Sequence, residues 1–175
     1  MKELLIFCLL LFLAVGQVRA ESKPLEVVPF VDINRYLGTW YEIATIPARF
    51  QKNCVAVTAT YGLRDDRKIS IINKCREGTL DGKLKSIKGK AWVVDKKTNA
   101  KLKVQFFWPF SGDYWIIELD PDYQYAVVGH PQRKYLWILN RSPQMDDMLY
   151  KELIGKIAEK GYDTAKIKKT LQPTK

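Results

Sequence analysis

The sequence predicts an all-β protein: an eight-stranded up-and-down antiparallel barrel with one C-terminal α-helix packed outside. Three observations carry that expectation. Strand-like runs recur at short intervals from residue 39 to residue 140, with turn residues and no helical period between them. In two of these runs lysines alternate with apolar residues, as half-buried strands require. Beyond residue 140 the apolar spacing becomes helical.

The chain starts with a segment set apart from the fold. Lys2 supplies a positive charge, Leu4 to Val15 is an apolar run of twelve, and Val18-Arg19-Ala20 suits a cleavage site. The run is too short to span a bilayer. Residues 1–20 are therefore assigned to a signal peptide and residues 21–175 to one domain, which is large enough for a single core. No linker, low-complexity tract or repeat divides that domain. Removing Lys2, Glu3 and Arg19 takes the net charge from +10 to +9. Such a charge suits an anionic ligand, an acidic membrane or nucleic acid, and equally a solvated lysine surface.

The first strand, Thr39 to Ile46, follows Gly38, whose freedom lets a turn feed straight into it. Trp40 is large enough to plug one end of a small barrel. The runs Cys54 to Leu63 and Lys68 to Cys75 then form a hairpin. If its turn centres between Asp65 and Asp66, Cys54 falls opposite Glu77, and one bulge brings Cys75 across from it. In an exported chain that even pair reads as a Cys54–Cys75 disulfide. Metal binding by two cysteines without a neighbouring histidine is the weaker reading.

Strands are expected next at Leu84 to Val94, Ala100 to Phe107, Asp113 to Leu119, Tyr123 to Gly129 and Lys134 to Asn140. Alternation turns Ile87, Gly89, Ala91 and Val93 inward, with Leu102, Val104 and Phe106 on the next strand, and turns Trp92 outward. A helix from the cap Asp146 to Gly161 carries the stripe Leu149, Leu153 and Ile157, flanked by Tyr150, Ile154 and Ala158. The basic tail from Thr164 to Lys175 carries no pattern that assigns it a place.

The motifs Tyr36-Leu37-Gly38-Thr39-Trp40-Tyr41-Glu42-Ile43-Ala44, Val57-Thr58-Ala59-Thr60-Tyr61, Phe106-Phe107-Trp108-Pro109-Phe110 and Tyr135-Leu136-Trp137-Ile138-Leu139-Asn140-Arg141 resemble those of the bacterial, outer-membrane lipocalins. That group is related to the apolipoprotein D type, and the resemblance covers essentially the whole of residues 21–175. The second family motif is altered: Leu119-Asp120-Pro121-Asp122-Tyr123 stands where many lipocalins have Thr-Asp-Tyr. The resemblance implies that Arg141 packs over Trp40. Parity agrees, since Tyr135, Trp137, Leu139 and Arg141 share a face; the cation–π pair would contribute about 0.5 to 2 kcal/mol. Many bacterial relatives are lipoproteins whose acylated cysteine follows the apolar run. Here Cys8 lies inside that run, so a soluble, unacylated product in the periplasm or secreted is expected.

Because the first strand leaves the plugged end, the odd-numbered connections lie at the open mouth. They carry Arg49, Lys52, Arg76, Lys83, Arg133 and Lys134, together with the large apolar residues Phe50, Trp108 and Phe110. A basic rim over an apolar cup suits an amphiphile with an anionic head, such as a fatty acid or lysophospholipid. The alternative is a rim of merely solvated lysines. Inside the cup, Tyr114, Tyr135 and Trp137 are expected to line the ligand, joined by Ala91, Leu102, Val104 and Phe106. Glu42 shares the parity of Trp40 and would need a hydrogen-bond partner.

The expected function is therefore carriage or sequestration of lipids, with no cofactor, no metal and no catalysis. An enzyme would want a nucleophile beside a base, and the chain has one histidine, His130, in a mouth turn. A carrier of haem, with His130 as axial ligand, or of another pigment is the rival reading. Nucleic acid is not an expected partner, because the lysines alternate with an inward apolar face rather than with exposed aromatics. Contact with a membrane surface and a homodimer are both compatible with the sequence.

Overall fold

The computed structural model describes residues 23–174. The assigned signal peptide and its cleavage point lie outside the described residues. A short helix α1 (Ile33–Tyr36) leads into β1 (Gly38–Ile46), followed by β2 (Cys54–Leu63), β3 (Ile69–Glu77), β4 (Leu84–Val93), β5 (Lys101–Phe107), β6 (Phe110–Leu119), β7 (Tyr125–Gly129) and β8 (Leu136–Asn140). Each strand pairs antiparallel with the next, and β1 bridges β8 and β2 to close the barrel. Helix α2 (Asp147–Glu159) and the two-residue strand β9 (Lys168–Lys169) complete the order. Among the described residues no helix is long and apolar enough to cross a membrane.

The Asp146 side chain caps α2 by accepting from the Met148 and Leu149 amides, two donors that the first helical turn leaves unpaired. The helix buries Leu153 and Ile157 against the outward faces of the barrel, where Ile43, Val127, Leu136 and Ile138 form a second apolar layer. Ala158, expected at the edge of that stripe, is exposed.

The β2–β3 turn centres on Asp66 rather than between Asp65 and Asp66, with the Arg64 amide bonded to the Lys68 carbonyl at 2.9 Å. A bulge between Val55 and Thr58, with Ala56 at φ 49°, then draws Cys54 opposite Glu77. Cys54 and Cys75 form a disulfide there, with Cα atoms 5.5 Å apart.

The basic tail has a definite place. β1 pairs with β2 through Gly38 to Tyr41, and beyond that point its edge pairs with β9, Ala44 opposite Lys169 and Thr45 opposite Lys168. The Thr170 amide bonds the Ile43 carbonyl at 2.9 Å, and the Ala56 amide bonds the Leu171 carbonyl at 2.7 Å. Buried Gln172 donates from Nε2 to the carbonyls of Glu42 and Val57, both at 2.9 Å. The tail thus occupies the seam where β1 and β2 diverge and satisfies backbone groups on both strands.

Candidate ligand-binding cavity

The closed end is sealed from both sides. Trp40 is fully buried, and the Arg141 guanidinium lies 3.8 Å from its ring centroid. Arg141 also donates to the carbonyls of Arg35 (2.8 Å), Thr39 (3.0 Å) and Tyr123 (3.2 Å). The approach is close enough that a Cβ on Gly38, at φ 92°, would stand 3.3 Å from the Arg141 Nη1. The indole N–H of Trp40 bonds the Tyr36 carbonyl at 2.8 Å.

Above the plug, three tyrosines brought from α1, β2 and β6 join their hydroxyls. Tyr114 bonds Tyr36 and Tyr61, each at 2.8 Å. Burial pushes the Tyr61 phenol up to about 12 and raises those of Tyr36 and Tyr114 well above their ordinary value, so all three remain neutral donors near neutral pH. Tyr61 and Tyr114 form the floor of a cavity of about 350 Å³ that opens toward the mouth. Its wall includes Val57 and Ala59 from β2, Ile71 and Asn73 from β3, Val104 and Phe106 from β5, and Tyr135, Trp137 and Leu139 from β8. The Asn73 Oδ1 is buried with no protein partner.

Glu42 faces this cavity and is 3 % exposed. Its Oε2 accepts from Gln51 Nε2 at 2.8 Å and its Oε1 from Thr170 Oγ1 at 2.6 Å. Gln51 in turn accepts the Trp137 indole N–H at 2.9 Å. Burial raises the Glu42 carboxyl above its ordinary value, against the lowering effect of the bonds from Thr170 and Gln51. A chain of four side chains thereby ties the cavity wall to the mouth loop and the tail.

A second lobe, of about 710 Å³, shares Gln51, Val57, Asn73, Phe106 and Phe107 with the first. It is flanked by the disulfide and by Lys74 and Lys85. Among the described residues no lysine or arginine lines the main cavity, where the ionisable groups besides the tyrosines are Glu42, Asp113 and His130. Asp113 is paired with Lys103 at 2.8 Å.

Of the residues expected in the cup, Val104, Phe106, Tyr114, Tyr135 and Trp137 line it. Ala91 and Leu102 do not: both face inward but lie deeper, in the core cluster with Trp40, Ile69 and Ala100. Alternation gives the face of a residue and says nothing of its height in the barrel. Inward Gly89 also has a packing role, since a Cβ there would stand 2.7 Å from the Phe106 ring.

At the rim, Arg49 and Lys134 are exposed. Trp108 and Phe110 are also exposed, whereas the side chain of Phe50 lies outside the described part of the structure. Arg133 departs from expectation. Its Nε donates to the Lys160 carbonyl at 2.6 Å and its Nη2 to the Lys23 carbonyl at 2.7 Å, so it binds the end of α2 instead of facing the mouth. His130 lines the cavity, and its Nδ1 accepts the Gln132 amide at 3.1 Å. That bond leaves the ring proton on Nε2, a donor rather than the lone pair an axial haem ligand needs.

A barrel plugged at one end, with an apolar cavity open at the other, is the architecture of a small-ligand binder. Residues 31–172 match the family model of the Lipocalin-like domain. The chain is 47% identical over 161 residues to temperature-induced lipocalin-1 of Arabidopsis thaliana, covering 87% of this chain and 85% of that one. It is 44% identical over 151 residues to the outer membrane lipoprotein Blc of Escherichia coli K12, covering 86% and 85%, and 35% identical over 151 residues to apolipoprotein D of Mus musculus, covering 81% and 77%. The fold is shared with insecticyanin from the tobacco hornworm Manduca sexta, at a TM-score of 0.67 and 20% identity over 83% of each chain. The chain belongs to the lipocalin family, whose members bind small hydrophobic ligands.

Proposed function

We propose that this lipocalin binds a single-chain amphiphile, a fatty acid or lysophospholipid, and carries or sequesters it without transforming it. The observation that carries this reading is the main cavity: aliphatic and aromatic walls, with polar groups gathered at its floor and upper edge. The acyl chain lies against Val104, Phe106 and Trp137. An anionic head is drawn toward Lys74 in the adjoining lobe, where Lys85 is paired with Glu77, and toward Arg49 and Lys134 at the rim, in place of Arg133, which is engaged elsewhere. The β5–β6 hairpin tip, with Phe107, Trp108 and Phe110 exposed by 68%, 86% and 76%, rests on a lipid surface during loading. Cleavage after Ala20, giving a mature chain that begins near Glu21, is part of this proposal. Intact-mass measurement of the exported protein tests that point: a lipid-modified N-terminus would contradict it.

Solvent extraction of the protein purified from its native source, followed by mass spectrometry, tests the ligand class. A stoichiometric fatty acid or lysophospholipid is expected. A porphyrin would instead support the haem reading.

A further inference from the structure

The tyrosine cluster at the floor has an unbalanced set of donors. Three hydroxyls bring three protons, and the bonds Tyr36–Tyr114 and Tyr114–Tyr61 consume two. Among the described residues no other group bonds these oxygens, so one proton is left over. Tyr61 and Tyr114 both line the cavity, which places that proton within reach of its contents. A closed end made for packing alone would be expected to use phenylalanine here, since an unmatched buried donor costs about 1 to 3 kcal/mol.

We propose that the triad is a recognition point for a carbonyl oxygen at the buried end of the ligand's chain. This inference rests on the lipid-binding reading and adds a second polar contact far from the head group. A carbonyl there accepts the spare proton and brings none of its own, so both groups are satisfied on burial, whereas a hydroxyl would only pass the surplus proton on. A chain ending in a methyl leaves that donor unmatched. A second carboxylate would be rejected, because among the described residues no lysine or arginine lines the main cavity to balance its charge.

Calorimetric titration of lipid-stripped protein with dodecanoate, 11-oxododecanoate and dodecanedioate tests this. Wild type should bind the keto acid at least as tightly as dodecanoate, and the dicarboxylate more weakly than either. Tyr61→Phe should keep that order, because two hydroxyls sharing one bond still leave one donor. Tyr61→Phe combined with Tyr114→Phe removes both cavity-facing hydroxyls, and the keto acid should then lose about tenfold relative to dodecanoate. A tenfold preference of wild type for dodecanoate would overturn the inference even if the double variant fails to fold. So would an unchanged ratio in a folded double variant. In either case dodecanoate binding itself would leave the lipid-binding reading standing, whereas failure of wild type to bind any of the three acids would remove both.

Discussion

The two ends of the barrel use the same residue types for opposite ends. At the closed end Trp40 is fully buried and Arg141 spends its guanidinium on the Trp40 ring and three carbonyls. At the open end Trp108 stands almost wholly exposed and Arg49 is exposed beside the mouth. Packing therefore accounts for the first pair and leaves the second without a folding role. An aromatic that contributes nothing to the core, at the entrance of an apolar cavity, is better explained by what enters or touches that entrance.

The sharpest way to break this contrast is at the two arginines. Arg141→Ala should lose about 3 kcal/mol in urea unfolding, because it removes a cation–π contact and three hydrogen bonds from a charged donor to the carbonyls of Arg35, Thr39 and Tyr123. Arg49→Ala should change stability by less than about 0.5 kcal/mol. Comparable losses at both positions would erase the distinction. The open end has one covalent exception. Replacing Cys54 and Cys75 by serine opens a tie across 21 positions and should cost about 3 kcal/mol on the chain-entropy account.

Trp137→Ala removes apolar wall and should weaken chain-bearing ligands by about 2 kcal/mol, or about thirtyfold, in calorimetric titration. Glu42 gives a smaller effect that depends on pH. Burial raises its folded value above the ordinary 4.5. As pH climbs from the unfolded value through the folded one, the unfolded chain loses its proton first and the native state loses stability; below the unfolded value that penalty is absent. Glu42→Gln cannot titrate, so its urea midpoint should rise relative to wild type as pH climbs above the ordinary carboxyl value of 4.5. A constant difference across that range would mean that Glu42 is already ionised in the native state. The smallest stability change is expected for Trp108→Ser, under about 0.5 kcal/mol, with a measurable loss of binding to anionic lipid vesicles in a sedimentation assay.

Period-two alternation in two runs made strand faces legible in the sequence, because each face of a barrel is either packed or wet, and the change to a 3.6-residue spacing made the helix legible. Val104, Phe106 and Trp137 were legible as cavity wall for the same reason. Ala91 and Leu102 were misplaced by height, which depends on how far above the Trp40 plug each strand level falls. Extending alternation to β2 and β3 would have found Val57, Tyr61 and Ile71, which share the cavity face. The remaining features rest on long-range partners with no local signature. The tail pairs with β1 through backbone groups of Lys168 and Lys169, where no apolar pattern exists to be read. Arg133 reaches carbonyls at Lys23 and Lys160, and the tyrosine triad joins three separate elements.

Calorimetric titration of lipid-stripped protein with dodecanoate, comparing wild type, Trp137→Ala and Trp108→Ser in detergent-free solution, tests most directly whether the cavity holds the chain. Saturable one-to-one binding is expected in wild type and Trp108→Ser, with affinity about thirtyfold lower in Trp137→Ala. Absence of saturable binding in wild type, or equal affinity in wild type and Trp137→Ala, would contradict a ligand chain seated in the barrel.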